Sequence, residues 1–181
     1  MATSLLRVCL VTVVGAAIGC TSEIDPPTAS AEIQAMAADN VMYGMVSFIT
    51  SNGVREARVR ADTAYLYADS AMAQLHGMEV AFYGEYGRPQ ATVQGSRGEW
   101  SQETDRMVAR GEVVLLVHAD SSRLESQEIH YDPNRDRIWS DSATVRTMRD
   151  GSVTSGSSFE SDMTFQNVII RDMRGGVRRV F

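Results

Sequence analysis

The chain has 181 residues, a formal net charge of −6, and seventeen basic residues, all of them arginine, against twenty-three acids. Lacking a basic excess to neutralise phosphates, this composition excludes a nucleic-acid partner. Only two cysteines are present, Cys9 and Cys20; removal of the predicted signal over 1–19 leaves Cys20 alone, so no intramolecular disulfide is expected and the fold must rest on apolar burial and strand pairing.

Residues 1–19 are predicted to be a signal peptide. Arg7 precedes an apolar run over 8–18, which is too short for the roughly 20 residues a membrane-spanning helix needs. The run ends in Ala17, Ile18, Gly19 and Cys20, which resembles the lipobox at which bacterial lipoproteins are cut and acylated on the new terminal cysteine. Ala17 stands where leucine is commonest; an ordinary cleaved signal, or a stunted anchor helix with a chance cysteine, is the alternative. Cleavage before Cys20 would remove Cys9 and Arg7, leaving sixteen arginines against twenty-three acids, a side-chain charge of −7. Residues 20–38, with Pro26 and Pro27 among small residues and scattered acids, read as a flexible tether, with at most a helical turn or two over 29–38. Residues 39–181 are long enough for one domain with a core.

Strand signals fill that domain. Residues 41–50 are apolar and β-branched, Ser51, Asn52 and Gly53 supply turn chemistry, and 54–60 return. After a short run at 65–67, residues 78–83 alternate so that Met78, Val80 and Phe82 share one face, and Gly84 and 87–89 turn the chain. Residues 113–117 form the strongest strand, 118–122 a turn, 124–131 a strand, and Asp132, Pro133 and Asn134 a turn whose proline presets φ. Strands follow over 138–148, 153–159 and 163–171, with Asp150 and Gly151 as a further hairpin signal and 177–181 as a terminal strand after Gly175 and Gly176. Many short strands at regular spacing predict an all-β sandwich or open barrel.

Three stretches also repeat one another. AYLYADSAMAQLHGMEV (64–80), RGEWSQETDRMVARGEV (97–113) and EIHYDPNRDRIWSDSAT (128–144) superpose without a gap and place Tyr67, Trp100 and Tyr131 in register. A hairpin repeated about every thirty residues predicts a stack of hairpins, because one hairpin cannot bury its apolar face alone. Such a stack encloses a long trough between two opposed sheets. Tyr67, Trp100 and Tyr131 read as packing anchors between repeats.

These features together resemble one family, LptC of the lipopolysaccharide export machine, and the OstA-like domain it shares with LptA. The resemblance is carried by ADNVMYG (38–44), VRADTAY (59–65), GEV (111–113), LESQEIHY (124–131), IWSD (138–141), FESD (159–162) and RGGV (174–177). It implies a folded-over antiparallel β-jellyroll whose open trough holds acyl chains. It also implies lipopolysaccharide or a related glycolipid as cargo, with LptA-like bridge and LptF/LptG-like transporter subunits as partners through edge-strand pairing. LptC proteins usually carry a transmembrane helix, whereas this chain offers a lipid on Cys20. The resemblance favours the periplasm and an inner-membrane anchor; Thr21 after the cysteine leaves the outer membrane as an alternative.

On this reading the trough is lined by Phe48, Leu66, Met78, Val80, Phe82, Met107, Val113, Leu115, Val117, Ile129, Phe159, Phe165 and Val168, about half of them as closed core. Methionines such as Met78 and Met107 repack around cargo of variable shape, although gap-filling is their commoner use. Arg58, Arg60, Arg178 and Arg179 are candidates for lipid phosphates, against ordinary solvated charge. No enzyme is expected. His76, His118 and His130 lack the short spacing of a compact metal site. Glu125 and Glu128, or Asp132 and Asp136, read as solvent-facing carboxylates rather than catalytic pairs, and no phosphate loop, nucleophile elbow or cofactor motif is present. The alternative function is an envelope lipoprotein that pairs strands with its neighbours and carries no lipid.

Overall fold

A computed structural model describes residues 38–176. The predicted signal peptide, Cys20, nearly all of the tether, and 177–181 with Arg178 and Arg179 lie outside the described residues.

Six long strands open the domain: β1 (Asn40–Ser51), β2 (Val54–Tyr67), β3 (Met72–Tyr83), β4 (Pro89–Ser101), β5 (Met107–Val117) and β6 (Ser122–Asp132). Each pairs antiparallel with the next. Their connections follow local turn chemistry. Asn52 and Gly53 both adopt positive φ (50° and 79°), the conformation a two-residue hairpin turn requires. Asp132 accepts a hydrogen bond from the Asn134 amide and Pro133 fixes φ, starting the single 3-10 turn that follows β6.

The six strands are bent where their pairing is interrupted. The ladder skips Gly44 opposite Asp62, Asp62 opposite Gly77, and Gly77 opposite Ser96. It shifts register around Gly95 and Ser96, Gly111 and Glu112, and Gln127. These positions lie side by side and form a crease. Gly44, Gly77 and Gly111 have φ of 61°, 60° and 80°, a left-handed conformation that glycine adopts without steric penalty. The first half of one strand and the second half of the next thus belong to one wall, and the remaining halves to the other.

Beyond β6 the chain repeats the plan in pieces: β7 (Arg137–Ser140) and β8 (Thr144–Thr147), β9 (Val153–Gly156) and β10 (Ser158–Ser161), β11 (Ile169–Arg171) and β12 (Arg174–Gly176). β7 pairs with the second half of β6 and β8 with its first half. β10 then joins β7 and β11 joins β10 in one wall, while β9 joins β8 and β12 joins β9 in the other. Six long strands and three broken pairs make nine passes of a meander folded lengthwise upon itself. The fold is all-β, one twelve-stranded sheet whose two walls face each other as the expected two opposed sheets.

Three expected strands are shorter than their sequence suggested. Residues 138–148 break at 141–143, where Ser126, Ser140, Ser142 and Thr144 form a buried knot of hydrogen bonds, with Ser126 Oγ 2.8 Å from Ser140 Oγ. These hydroxyls occupy backbone groups released where β7 and β8 part, the local competition with ladder bonds that serine and threonine offer. Residues 153–159 break at Ser157, which turns the chain from one wall to the other. Of 163–171 only β11 is a strand. Residues 162–168 are a loop built on Asp162, whose carboxylate accepts hydrogen bonds from Thr164, Gln166 and Asn167.

Candidate functional site: the interior between the two walls

The inward side chains form ladders across the strands. One wall has Leu66, Ala73, Trp100, Met107, Tyr131 and Ile138 in successive register nearest the hairpin tips. Behind them run Ala64, Leu75, Gly98, Ala109 and Ile129. The other wall presents Ala57, Phe82, Ala91 and Val117 near its tips, then Val59, Val80, Val93, Leu115 and Leu124. Large residues stand beside small ones, so the faces interdigitate.

Of the expected lining residues, Met78, Val80, Phe82, Met107, Val113, Leu115, Val117, Ile129, Phe159 and Phe165 are buried in one apolar cluster, and Leu66 and Val168 pack against it half-buried. Phe48 is a correction. It is 49% exposed on the outer side of β1, with the Arg55 guanidinium 4.3 Å above its ring, because Met45 and Ile49 take the inward positions and a strand alternates faces residue by residue. Tyr67 is displaced for the same reason. Leu66 occupies the place in the first repeat that Trp100 and Tyr131 hold in the others, and the Tyr67 hydroxyl points outward to donate to Gln74 Oε1.

The walls touch. The Phe82 ring lies 4.9 Å from Tyr131 of the facing wall and 5.9 Å from Phe165. A Cβ on Gly98 would overlap the sulfur of Met78 reaching across from the other wall. The void lined by Met78, Val80, Phe82, Met107, Ile129 and Tyr131 measures about 10 Å³, close to the least that holds one water. The expected open trough is therefore a filled interior in this conformation, since the side chains on both faces are long enough to meet. A broad depression of about 510 Å³ lies on the outside of the crease, among Arg60, Asp62, Glu79, Gln94 and Glu112; its polar rim does not suit acyl chains.

The charged candidates are engaged elsewhere. Arg58 and Arg60 share Glu79, at 3.1 and 3.9 Å, on the outer face. Asp132, expected at the surface, is buried and held by Arg106 at 3.0 Å and Arg135 at 3.7 Å. Glu128 pairs with Arg110 and His130, and Glu125 with Arg123. The histidines lie apart: His76 edge-on to Tyr65, His118 bonded to Thr92, His130 stacked on Trp139. Among the described residues no His, Cys, Asp and Glu cluster could hold a metal ion, and no helix is long and apolar enough to cross a membrane. Burial drives the Tyr131 phenol far above its ordinary value, reinforced by the nearby negative charges of Glu56, Asp105 and Asp132, so it stays neutral.

Exposed apolar side chains collect at the two ends of the sheet. Met42, Tyr43, Val46 and Phe48 lie on β1, and Ile169 and Met173 on or beside β11 and β12. Among the described residues β1, β11 and β12 each pair on one side only. Ile49 at 7% and Ile170 at 9% are the most exposed members of the apolar core, so the interior is least sealed at those ends. The sequence pattern did not mark these residues as an edge, and placed Phe48 in the interior, because an unpaired edge has no local signature.

A family model described as lipopolysaccharide-assembly, LptC-related, matches residues 8–170. The chain belongs to this LptC-related family. Among solved structures, LptH of Pseudomonas aeruginosa, described as the LptA-homologous periplasmic component of the lipopolysaccharide transport device, superposes with a TM-score of 0.54 at 15% identity, covering 67% of this chain and 94% of that one. The likeness is one of fold, and it agrees with the jellyroll expected for an LptC-related chain. No curated protein matches.

Proposed function

We propose that this LptC-related chain is a periplasmic lipopolysaccharide carrier and bridge component. It accepts glycolipid from an inner-membrane ATP-driven transporter, shields the acyl chains between its two walls, and passes them toward the outer membrane. The observation that carries this reading is the continuous apolar lining from β1 to β11 in a sheet whose terminal strands, among the described residues, have one side unpaired. Apolar lining offsets exposure of acyl chains at about 0.8 kcal/mol per buried methylene, and unpaired edges suit strand addition by LptA-like and LptF/LptG-like partners. Residues 1–19 serve as signal and Cys20 as the lipid anchor, with residues 20–38 as tether. Cargo contacts are assigned to the buried members of the predicted lining set, and no chemical step is required.

The filled interior favours a second reading, a strand-pairing lipoprotein without cargo. A photo-crosslinker separates the two. Placed at Leu115 or Phe82 it should capture glycolipid, whereas at outward Glu79 it should not. Capture at Glu79 alone, or nowhere, would leave only the second reading.

A further inference from the structure

A void smaller than one methylene chain means that no acyl group can enter until the walls part, and the contacts that hold them together at the tips identify where. Phe82 precedes the turn at 84–88 of one wall; Tyr131 precedes the 3-10 turn Pro133–Arg135 of the other. Phe82 is the middle member of the cluster, against Tyr131 on one side and Phe165 on the other. Two of these three rings are fixed in the sheet, Phe82 between Ala57 and Ala91 and Tyr131 between Met107 and Ile138. Phe165 is not: it comes from the loop over 162–168 between β10 and β11, is 3% exposed, and joins no strand.

We propose that this loop is a removable stopper, with Phe165 as its plug, and that incoming acyl chains displace Phe165 and take its place against Phe82. The proposal rests on the carrier reading above and names how that interior is opened. The loop suits the role because it is organised from within. Asp162 collects Thr164, Gln166 and Asn167 by hydrogen bonds inside the segment, so the loop can swing as a unit. Its bond to the neighbouring turn of the same wall is a single one, from the Met163 amide to Asp136 Oδ1 at 3.2 Å, so the contact that ties it to the opposite wall is the Phe165 ring on Phe82. Phe165 itself sits at φ 58°, a conformation costly for a bulky residue and sustained by seating the ring. An acyl chain offers Phe82 the same apolar surface, so the exchange is nearly balanced and reversible, as a carrier that must release its cargo requires.

The test uses a twelve-carbon fatty acid with an environment-sensitive fluorophore, added to the full chain. Phe165→Ala should take up the probe about tenfold faster than wild type, the factor that one lost aromatic pair contact is worth, with an unchanged circular dichroism spectrum. Hydrogen exchange on the wild type supplies a readout independent of the variant's folding: loading should deprotect residues 162–168 and leave β5 protected. Equal uptake by both proteins, or unchanged protection of the loop in loaded wild type, would overturn the stopper while leaving the carrier reading intact. If neither protein takes up probe, the carrier reading fails and the stopper with it.

Discussion

At the scale of single residues, alternation decides most outcomes, and a slip of one position reverses them. Phe48 and Tyr67 were expected inward and lie outward, while Met45, Ile49 and Leu66 hold the interior. The strands concerned were recognised; the faces were not, because period 2 is read relative to a bend that sequence did not locate. Asp162 shows the same dependence on context. Burial pushes its carboxyl up, but hydrogen bonds from Thr164, Asn167 and the Gln166 and Thr164 amides outweigh that and hold it below the ordinary carboxylate range. A depressed folded pKa contributes stability above the unfolded pKa, lost as pH falls through the folded one. The loop over 162–168 should therefore be ordered at neutral pH and loosen in acid. The chemical shift of the Gln166 amide should report that transition in the wild type and lack it in Asp162→Asn, whose amide carries no titrating charge.

At the scale of elements, the crease gives each strand two roles. Glycines at 44, 77 and 111 let β1, β3 and β5 cross from wall to wall without ending, and β2, β4 and β6 cross beside them at Asp62, Ser96 and Gln127; the later passes achieve the same crossing by breaking at 141–143, Ser157 and Asp172. Gly156 marks how tightly the last passes close: a Cβ there would overlap the Arg171 carbonyl and Ile170. Among the described residues β1 pairs on one side only, and it carries exposed Val46. Charge at an edge opposes strand addition while costing the isolated domain little. Val46→Lys should stay within about 0.5 kcal/mol of wild-type stability in urea yet bind an LptA-like partner several-fold more weakly in a pull-down titration. If Ile169→Lys weakens binding and Val46→Lys does not, the partner docks at the opposite end; if neither does, edge pairing is not the mode of assembly.

At the scale of the whole molecule, the proposed carrier role requires the two walls, which touch in this conformation, to part about the crease into an open arrangement. Cargo that binds only the open arrangement shifts the population toward it by its differential affinity. Spin labels at Asn52 and Asn134, on the tips of opposite walls, should move apart when glycolipid is added. An unchanged distance distribution in protein shown to have bound glycolipid would place the cargo outside the walls.

The sequence by itself determined that the domain is all-β, that hairpins repeat along it, which runs are apolar, and the family to which it belongs, because turn chemistry and period-2 patterning are local and leave their mark in neighbouring residues. The tertiary structure alone decided that the strands share one bent sheet, that Phe48 faces water, that Asp132 is buried between arginines, and that the expected trough is filled by Phe82, Tyr131 and Phe165. Each of these depends on residues far apart in the chain meeting across the crease, and packing between distant segments has no signature in the order of amino acids along any one of them.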